Sequence, residues 1–308
     1  MSLANKRIVD PVLTTLARGF SQPNLIGTKL FPVVSVEKEG GKIPQFGKEA
    51  FKVYNTERAI RSRSNRINPD GLSSIDFVLE EHDLEYPMDY REIDEDIRNL
   101  KLHATKVTTE GIALRLEKKI ADLVQNLSNF PTGNKITLDS ASKFTTPTSD
   151  PIAVFETAKE ALRSKIAKRP NVCILGAASY AALKNHPVIL DRIKFTQHAI
   201  IEVGTLETLL GFDKIYIGES VFVNDTTGSF SDVWADNAIL AYVPMASADV
   251  PNSYYEPSFA YTLQKNAYPI VDVYEETGNK VQVVRTTNIF VPKIVGADAG
   301  YLINDTNA

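Results

Sequence analysis

The chain has 308 residues, 43% of them apolar and 23% charged, a balance that excludes wholesale disorder and allows one elaborate domain or two ordinary ones. Its 34 basic and 38 acidic residues leave a formal charge of −4, too small to suggest nucleic-acid binding by the whole surface. The single cysteine, Cys173, excludes an internal disulfide and a multi-cysteine zinc site, and no apolar run reaches the ~20 residues that span a bilayer.

The opening MSLANKRIVDPVL lacks the apolar stretch and small-residue cleavage site of a secretory signal, which implies synthesis and folding in a reducing cytoplasm. DPVLTTLARGF predicts a short helix with Asp10 as cap and Pro11 at its first position. SQPNLIGTKLFPVVSVEKEGG reads as extended chain, punctuated by Pro23, Gly27, Pro32 and Gly40-Gly41. The next stretch, Phe46 to Ser74, has almost no apolar periodicity, carries Arg58, Arg61, Arg63 and Arg66, and ends in the turn signal Asn68-Pro69-Asp70-Gly71.

The flanks of that stretch, KIPQF and SIDFVLEEHDLEY, read as strands. Two arms of roughly 15 residues at ~3.3 Å each would reach ~50 Å, against a gyration radius of ~20 Å for a compact chain of this length. A wrapped arm should show a buried stripe, and this one has none, so a projecting hairpin is expected. From about Tyr90 to Asn129 the pattern is helical, with Val107, Leu114, Leu116, Ile120, Leu123, Val124 and Leu127 at three- and four-residue intervals. Its strongest part, Glu110 to Leu127, would span ~27 Å.

A second half opens at Asp150-Pro151, a cap followed by a helical face of Val154, Phe155, Ala158, Ala161, Leu162 and Ile166. NVCILG predicts a buried strand, AASYAALKN a small-residue helix ended at Pro187, and TLETLLGF a short helix stopped near Gly211. KIYIGESVFVN and VWADNAILAYVP read as strands, and YPIVDVYEETGNKVQVVRTTNIFVPKIV as a hairpin turning at Thr277-Gly278-Asn279. Helix and strand mix without the alternation of a doubly wound sheet, so the fold class is α+β.

Catalytic grammar is missing. NVCILGAASY has the strand-turn-helix order of a nucleotide site but offers one glycine, Gly176, where a dinucleotide fingerprint needs three. The histidines are His82, His103, His186 and His198, with no HxxxH or HxH pair. In the cluster Glu80-Glu81-His82-Asp83, alternation on a strand sends neighbours to opposite faces, which disfavours a divalent metal. Cys173 lies in an apolar strand, no serine sits in a Gly-x-Ser-x-Gly elbow, and Trp234 is set among apolar strand residues, as a core residue is. The sequence predicts neither an enzyme nor a cofactor.

Charge is unevenly spread. The four arginines precede an acidic run that includes Glu80, Glu81, Asp83, Glu85, Asp89, Glu92, Asp94, Glu95 and Asp96, against only Arg91 and Arg98. Such a pair can fold back on itself, meet the same pair on another copy, or form two solvated faces.

The order of parts resembles the major capsid proteins of tailed bacteriophages, a fold shared with encapsulin shells. The likeness is carried by NLIGTKLFPVVSVEKEGGKIPQFGKEAF, by Thr56-Glu57-Arg58-Ala59, by ILGAASYAALKNHPVILDRI, by WADNAILAYVP and by GADAGYLIND. It covers nearly the whole chain, and its specificity lies in the series rather than in any one piece. It implies an N-terminal arm (1–41), an extended β-hairpin loop (42–79), a peripheral domain with a spine helix (80–149), an axial domain (150–250), further peripheral strands (251–290) and a final strand returning toward the axial domain (291–308).

On that resemblance the loop lies across a neighbouring copy, with Lys48, Lys52, Arg58, Arg61, Arg63 and Arg66 at the interface and Glu92, Asp94, Glu95 and Asp96 as acidic partners. Some relatives crosslink a loop lysine; Lys48 and Lys52 lie in the right region but also read as ordinary surface lysines. The resemblance implies pentamers and hexamers in the icosahedral head of a virion, weak non-specific contact with packaged double-stranded DNA, and no membrane. It further implies a separate scaffold protein, a portal and a possible decoration protein. The alternatives are an encapsulin-like compartment shell and an α+β enzyme whose site is non-local.

Overall fold

The computed structural model describes residues 9–19, 24–44, 53–66, 74–95, 99–194, 202–224, 226, 228–244 and 258–307. Helix α1 (Pro11–Arg18) starts where Asp10 Oδ1 accepts from the amides of Val12 and Leu13 at 2.9 and 3.0 Å. Pro11 fills the first turn, where its missing N–H costs nothing. The next stretch is not wholly extended: one helical turn, α2 (Gly27–Leu30), precedes β1 (Val33–Val36) and β2 (Gly40–Pro44). Leu30 and Phe31 are completely buried there, so tertiary burial rather than local propensity sets the turn.

The run from Ser74 to Asp89 is two strands. β3 (Ser74–Val78) pairs antiparallel with β2, whereas β4 (Glu80–Asp89) pairs antiparallel with β13 (Val281–Ile294). Leu79 is the joint, its side chain buried and its amide donating to the Glu39 carbonyl at 2.7 Å. After α3 (Tyr90–Glu95) comes the long helix α4 (Leu100–Val124), which begins well before the strong part of the apolar stripe.

The early half of α4 buries Ala104, Thr105, Thr108 and Thr109. Each threonine hydroxyl donates to the carbonyl four residues back, at 2.9, 2.9 and 2.7 Å, so none of these three hydroxyls is left without an acceptor. Thr108 also meets Thr286 Oγ1 at 2.7 Å. Val107, part of the apolar stripe in sequence, is 39% exposed.

Two sheets organise the rest. In the first, β13 is central: β12 (Ile270–Glu276) and β11 (Ala260–Lys265) pair with successive stretches of one of its edges, β4 pairs with the other, and β1 lies beyond β11. One face packs on α1 and α4 through Leu13, Met88, Ala104, Val271 and Val284. The opposite face carries Val34, Leu263, Ile289 and Val291 against Ile43, Phe77 and Leu79, which anchors the β2–β3 ribbon.

The second sheet runs β5 (Lys135–Thr137), β14 (Gly300–Asn304), β10 (Ala238–Ala241), β6 (Val172–Gly176) and β7 (Lys214–Gly218). β6 and β10 are buried at every residue, which is why their sequences are unbroken apolar runs. Helices α5 (Pro151–Ile166), α6 (Ala177–Lys184), α7 (Pro187–Ile193) and α8 (Val203–Leu210) cover one face through Phe155, Leu162, Leu183, Ile189 and Leu206. The other face, Ile174, Ile239 and Leu302, packs on Phe31, Ile120, Val124, Trp234 and Phe259. One core thus joins the α2 segment, α4 and both sheets. Of VWADNAILAYVP only Ala238–Ala241 is a strand of this sheet; Val233 and Trp234 lie in a buried bend that precedes it. A small hairpin, β8 (Val221–Val223) with β9 (Phe230–Asp232), stands between β7 and β10 in the chain.

Gly176, the glycine that invited a nucleotide reading, has a steric role. A Cβ there would lie 1.9 Å from the Ala235 carbonyl oxygen and 3.3 Å from that of Trp234, both backbone atoms that cannot swing aside. Gly176→Ala is expected to cost roughly 3 kcal/mol or more of stability, read as a lowered midpoint in urea. An unchanged midpoint would show that the Ala235 turn yields.

Candidate functional site

Residues 53–66 form an exposed loop whose order comes from its own hydrogen bonds. Asn65 Nδ2 donates to the carbonyls of Asn55 at 2.6 Å and Glu57 at 3.0 Å, closing the two sides of the loop. Asn55 Oδ1 accepts from the Glu57 amide at 3.0 Å. At the tip, the Ser62 amide donates to the Ala59 carbonyl at 3.1 Å, and Arg58 Nη1 reaches the Ser62 carbonyl at 2.6 Å. Arg61 sits at φ 67°, the left-handed conformation that a type II turn places at its third residue.

Every residue from 53 to 66 is exposed, with Val53 at 96% and Ile60 at 92%. Among the described residues, Arg61, Arg63 and Arg66 have no hydrogen bond or ion pair through their guanidinium groups. Asn65→Ala should leave the subunit's melting temperature unchanged and loosen the loop alone. Hydrogen exchange at residues 53–66 is the measurement, and protection equal to the parent would contradict the clamp.

The structure of one copy does not bring the arginines and the acidic candidates together: among the described residues no ion pair joins Arg58, Arg61, Arg63 or Arg66 to Glu92, Asp94 or Glu95. Lys48, Lys52 and Asp96 lie outside the described residues. Glu92 is engaged locally, its Oε2 accepting from the Asp89 amide at 3.0 Å, while Asp89 accepts from the Arg91 amide at 2.9 Å. Asp94 and Glu95 are exposed. Earlier in the acidic run, Glu85 accepts from Tyr274 Oη at 2.9 Å and stands 3.7 Å from Arg285, which also binds Asp272.

The cluster around His82 is an ion-pair site. Lys119 Nζ bonds Glu80 and lies 3.1 Å from His82 Nε2, and the imidazole stacks on Phe290 with centroids 4.3 Å apart. Burial, then Lys119, hold the His82 pKa below its ordinary value, and the hydrogen bond from Lys119 holds Glu80 below the usual carboxylate range. Among the described residues no group of three metal-ligating side chains converges. His186 is buried between Ser149 Oγ and the Val188 amide, His103 meets Tyr86 edge-on, and His198 lies outside the described residues. Burial pushes the Cys173 thiol up, away from nucleophilic character.

Sequence reasoning missed the residue that ties the start of α2 to α4 and Trp234. Glu117 of α4 is 2% exposed. Its Oε1 accepts from the Ile26 amide at 3.0 Å and from Trp234 Nε1 at 2.7 Å, and its Oε2 from the Gly27 amide at 2.7 Å. Burial outweighs these bonds and raises its pKa above the usual carboxylate range. A signal existed: Glu117 stands three residues before Ile120 and four before Ala121, on the buried stripe of the helix.

This architecture is that of phage-capsid and encapsulin shell subunits. The chain is similar to the SrpI encapsulin of Synechococcus elongatus PCC 7942, with a TM-score of 0.54 and 11% identity over 93% of this chain and 88% of that one; solved phage capsids share the fold. Residues 16–286 match the family described as phage major capsid protein E, and the chain belongs to that family. The curated major capsid protein of Burkholderia phage BcepMu is 50% identical over 305 residues, 99% of each chain. The crystal structure of a phage-related protein from Bordetella bronchiseptica RB50 is 34% identical, with a TM-score of 0.83 over 97% of this chain and 98% of that one.

Family membership decides for a phage capsid subunit over a compartment shell, and it sets the enzyme alternative aside because the family is structural. The protein's place is the capsid of the virion. No described helix is long and apolar enough to cross a membrane.

Proposed function

We propose that the chain builds the icosahedral head of a tailed phage as pentamers and hexamers around double-stranded DNA. The observation that supports this most is full-length 50% identity with a phage major capsid protein. In this reading residues 1–41 are the N-terminal arm, whose described part packs on its own subunit rather than on neighbouring copies, 42–79 the extended loop, 80–149 and 251–290 the peripheral domain, and 150–250 with 291–308 the axial domain. The loop lies on the next copy, where Arg58, Arg61, Arg63 and Arg66 face an acidic surface that includes Asp94 and Glu95, with Lys48 and Lys52 beside them.

A single exposed ion pair contributes only ~0–1 kcal/mol, but a closed shell repeats each contact many times, so small terms decide closure. A chain of formal charge −4 offers phosphate only local basic patches, and its contact with packaged DNA is weak and indifferent to sequence. The subunit is made in the bacterial host cytoplasm and works with a separate scaffold protein, a portal and a decoration protein. Negative-stain microscopy of the purified chain tests the proposal. Shells, tubes or capsomer rings are expected, and a monodisperse 34 kDa particle at high concentration, unchanged when scaffold protein is supplied, would refute it.

A further inference from the structure

The proposed contact between loop and neighbour has a definite seat. We infer that the loop tip, Ile60 flanked by Arg58, Arg61 and Arg63, plugs into the hollow between α3 and the β12–β13 turn of a second copy. This rests on the reading in which the loop of one copy lies on the next.

The plug is built to stand out. The Asn65 clamp and the Ala59–Ser62 turn hold the tip closed, and the turn carries Ile60 into solvent, 92% exposed, with cationic side chains on either side. An aliphatic side chain fixed at the end of a closed turn contributes nothing to its own subunit's core. Its fixed shape lowers the ordering cost of docking.

The hollow has the matching chemistry. It measures about 620 Å³ and lies where the end of β4 runs into α3 beside the β12–β13 turn. Ile93 and Val281, both half-buried, give it an apolar floor, and Tyr90, 45% exposed, stands at its side. Asp94, Glu275 and Glu276 ring it with carboxylates. Glu276 holds Asn279 at 2.8 Å, but neither Asp94 nor Glu275 has a hydrogen bond or ion pair through its side chain among the described residues. Lys101 and Lys280 also reach the hollow, so its net charge is negative by one. An apolar floor with three carboxylates against two lysines around it fits an apolar tip between guanidinium groups, and the net charges of the two sides are opposite in sign.

The test places p-benzoylphenylalanine at position 60 of the full chain. Shells assembled from mixed isotopically light and heavy subunits are irradiated, and the crosslinked peptides are mapped by mass spectrometry. Crosslinks between light and heavy chains that end in 90–95 or 275–282 are expected. Crosslinks between chains that end elsewhere overturn the seat and leave the loop-on-neighbour reading standing; crosslinks confined to one chain overturn both.

If the label blocks assembly, the pair Ile60→Cys and Thr277→Cys reads the same contact as reducible multimers, because the native Cys173 is wholly buried. Absence of multimers from assembled shells then overturns the seat. Independently, Asp94→Lys with Glu275→Lys should lower shell yield at least tenfold, and adding Arg61→Glu with Arg63→Glu should restore it. Normal yield from the lysine pair, or failure of the restoring pair, counts against the seat.

Discussion

Reversing Arg58, Arg61, Arg63 and Arg66 to glutamate together leaves the subunit folded and abolishes shell formation. All four residues lie in the loop where every described position is exposed, and the bond from Arg58 to the Ser62 carbonyl is local to the tip. Removing them opens no cavity and breaks no buried network, so the melting temperature should stay within about 3 °C of the parent. On the partner surface, attraction becomes like-charge repulsion at every repeat of the contact. Circular dichroism on heating and microscopy of assembly reactions check the two halves of the prediction. Loss of the fold, or normal shells, would refute the loop assignment.

The largest effect on stability is expected at Glu117. Glu117→Ala leaves three donors, the Ile26 and Gly27 amides and the Trp234 indole, without an acceptor inside the core. Each such group costs roughly 1–3 kcal/mol, and partial relaxation brings the expected total to about 3–5 kcal/mol. Glu117→Gln keeps one acceptor and turns an amide N–H₂ toward the Gly27 N–H, so it should fall between the two. Gly27→Ala attacks the same node from the other side, since a Cβ there would lie 2.7 Å from Glu117 Oε2.

The pH dependence has a defined sign. The folded-state pKa of Glu117 is raised, so the stability linked to its proton is fully present below the unfolded value near 4.5 and is lost as pH rises through the folded value. The advantage of the parent over Glu117→Gln in urea should therefore be greatest in mild acid and shrink toward neutrality. A gap that is flat with pH would contradict the raised value.

Helices marked by their caps were legible from sequence. Asp10-Pro11 and Asp150-Pro151 start α1 and α5 as read, because a carboxylate accepting two free amides is a local device that needs no partner elsewhere. The continuous apolar runs of β6 and β10 announced strands buried on both faces, although β10 proved shorter than its apolar signal. The first half of α4 fell within the stretch read as helical from about Tyr90, but its buried face was not legible, because it carries threonines whose hydroxyls are satisfied within the helix and leave no hydrophobic period. The split at Leu79 was hidden because both pieces alternate like one strand and only their partners differ.

The candidate site was legible as a segment with nothing to bury. Its clamp was not, since Asn65 acts across a closed loop. Glu117 escaped for a related reason: the arm amides and the indole that make a buried carboxylate tolerable come from positions 26, 27 and 234.

The joint at Leu79 has a mechanical consequence. Because β3 runs straight into β4, tension applied to the loop travels along the backbone into the ladder from Phe290–Glu80 to Val281–Asp89. Load along the strand axis strains all of those hydrogen bonds in parallel, whereas a sideways pull would unzip them singly. On the proposed contact of the loop with a neighbouring copy, a pull that drew the two copies apart would load this ladder in shear.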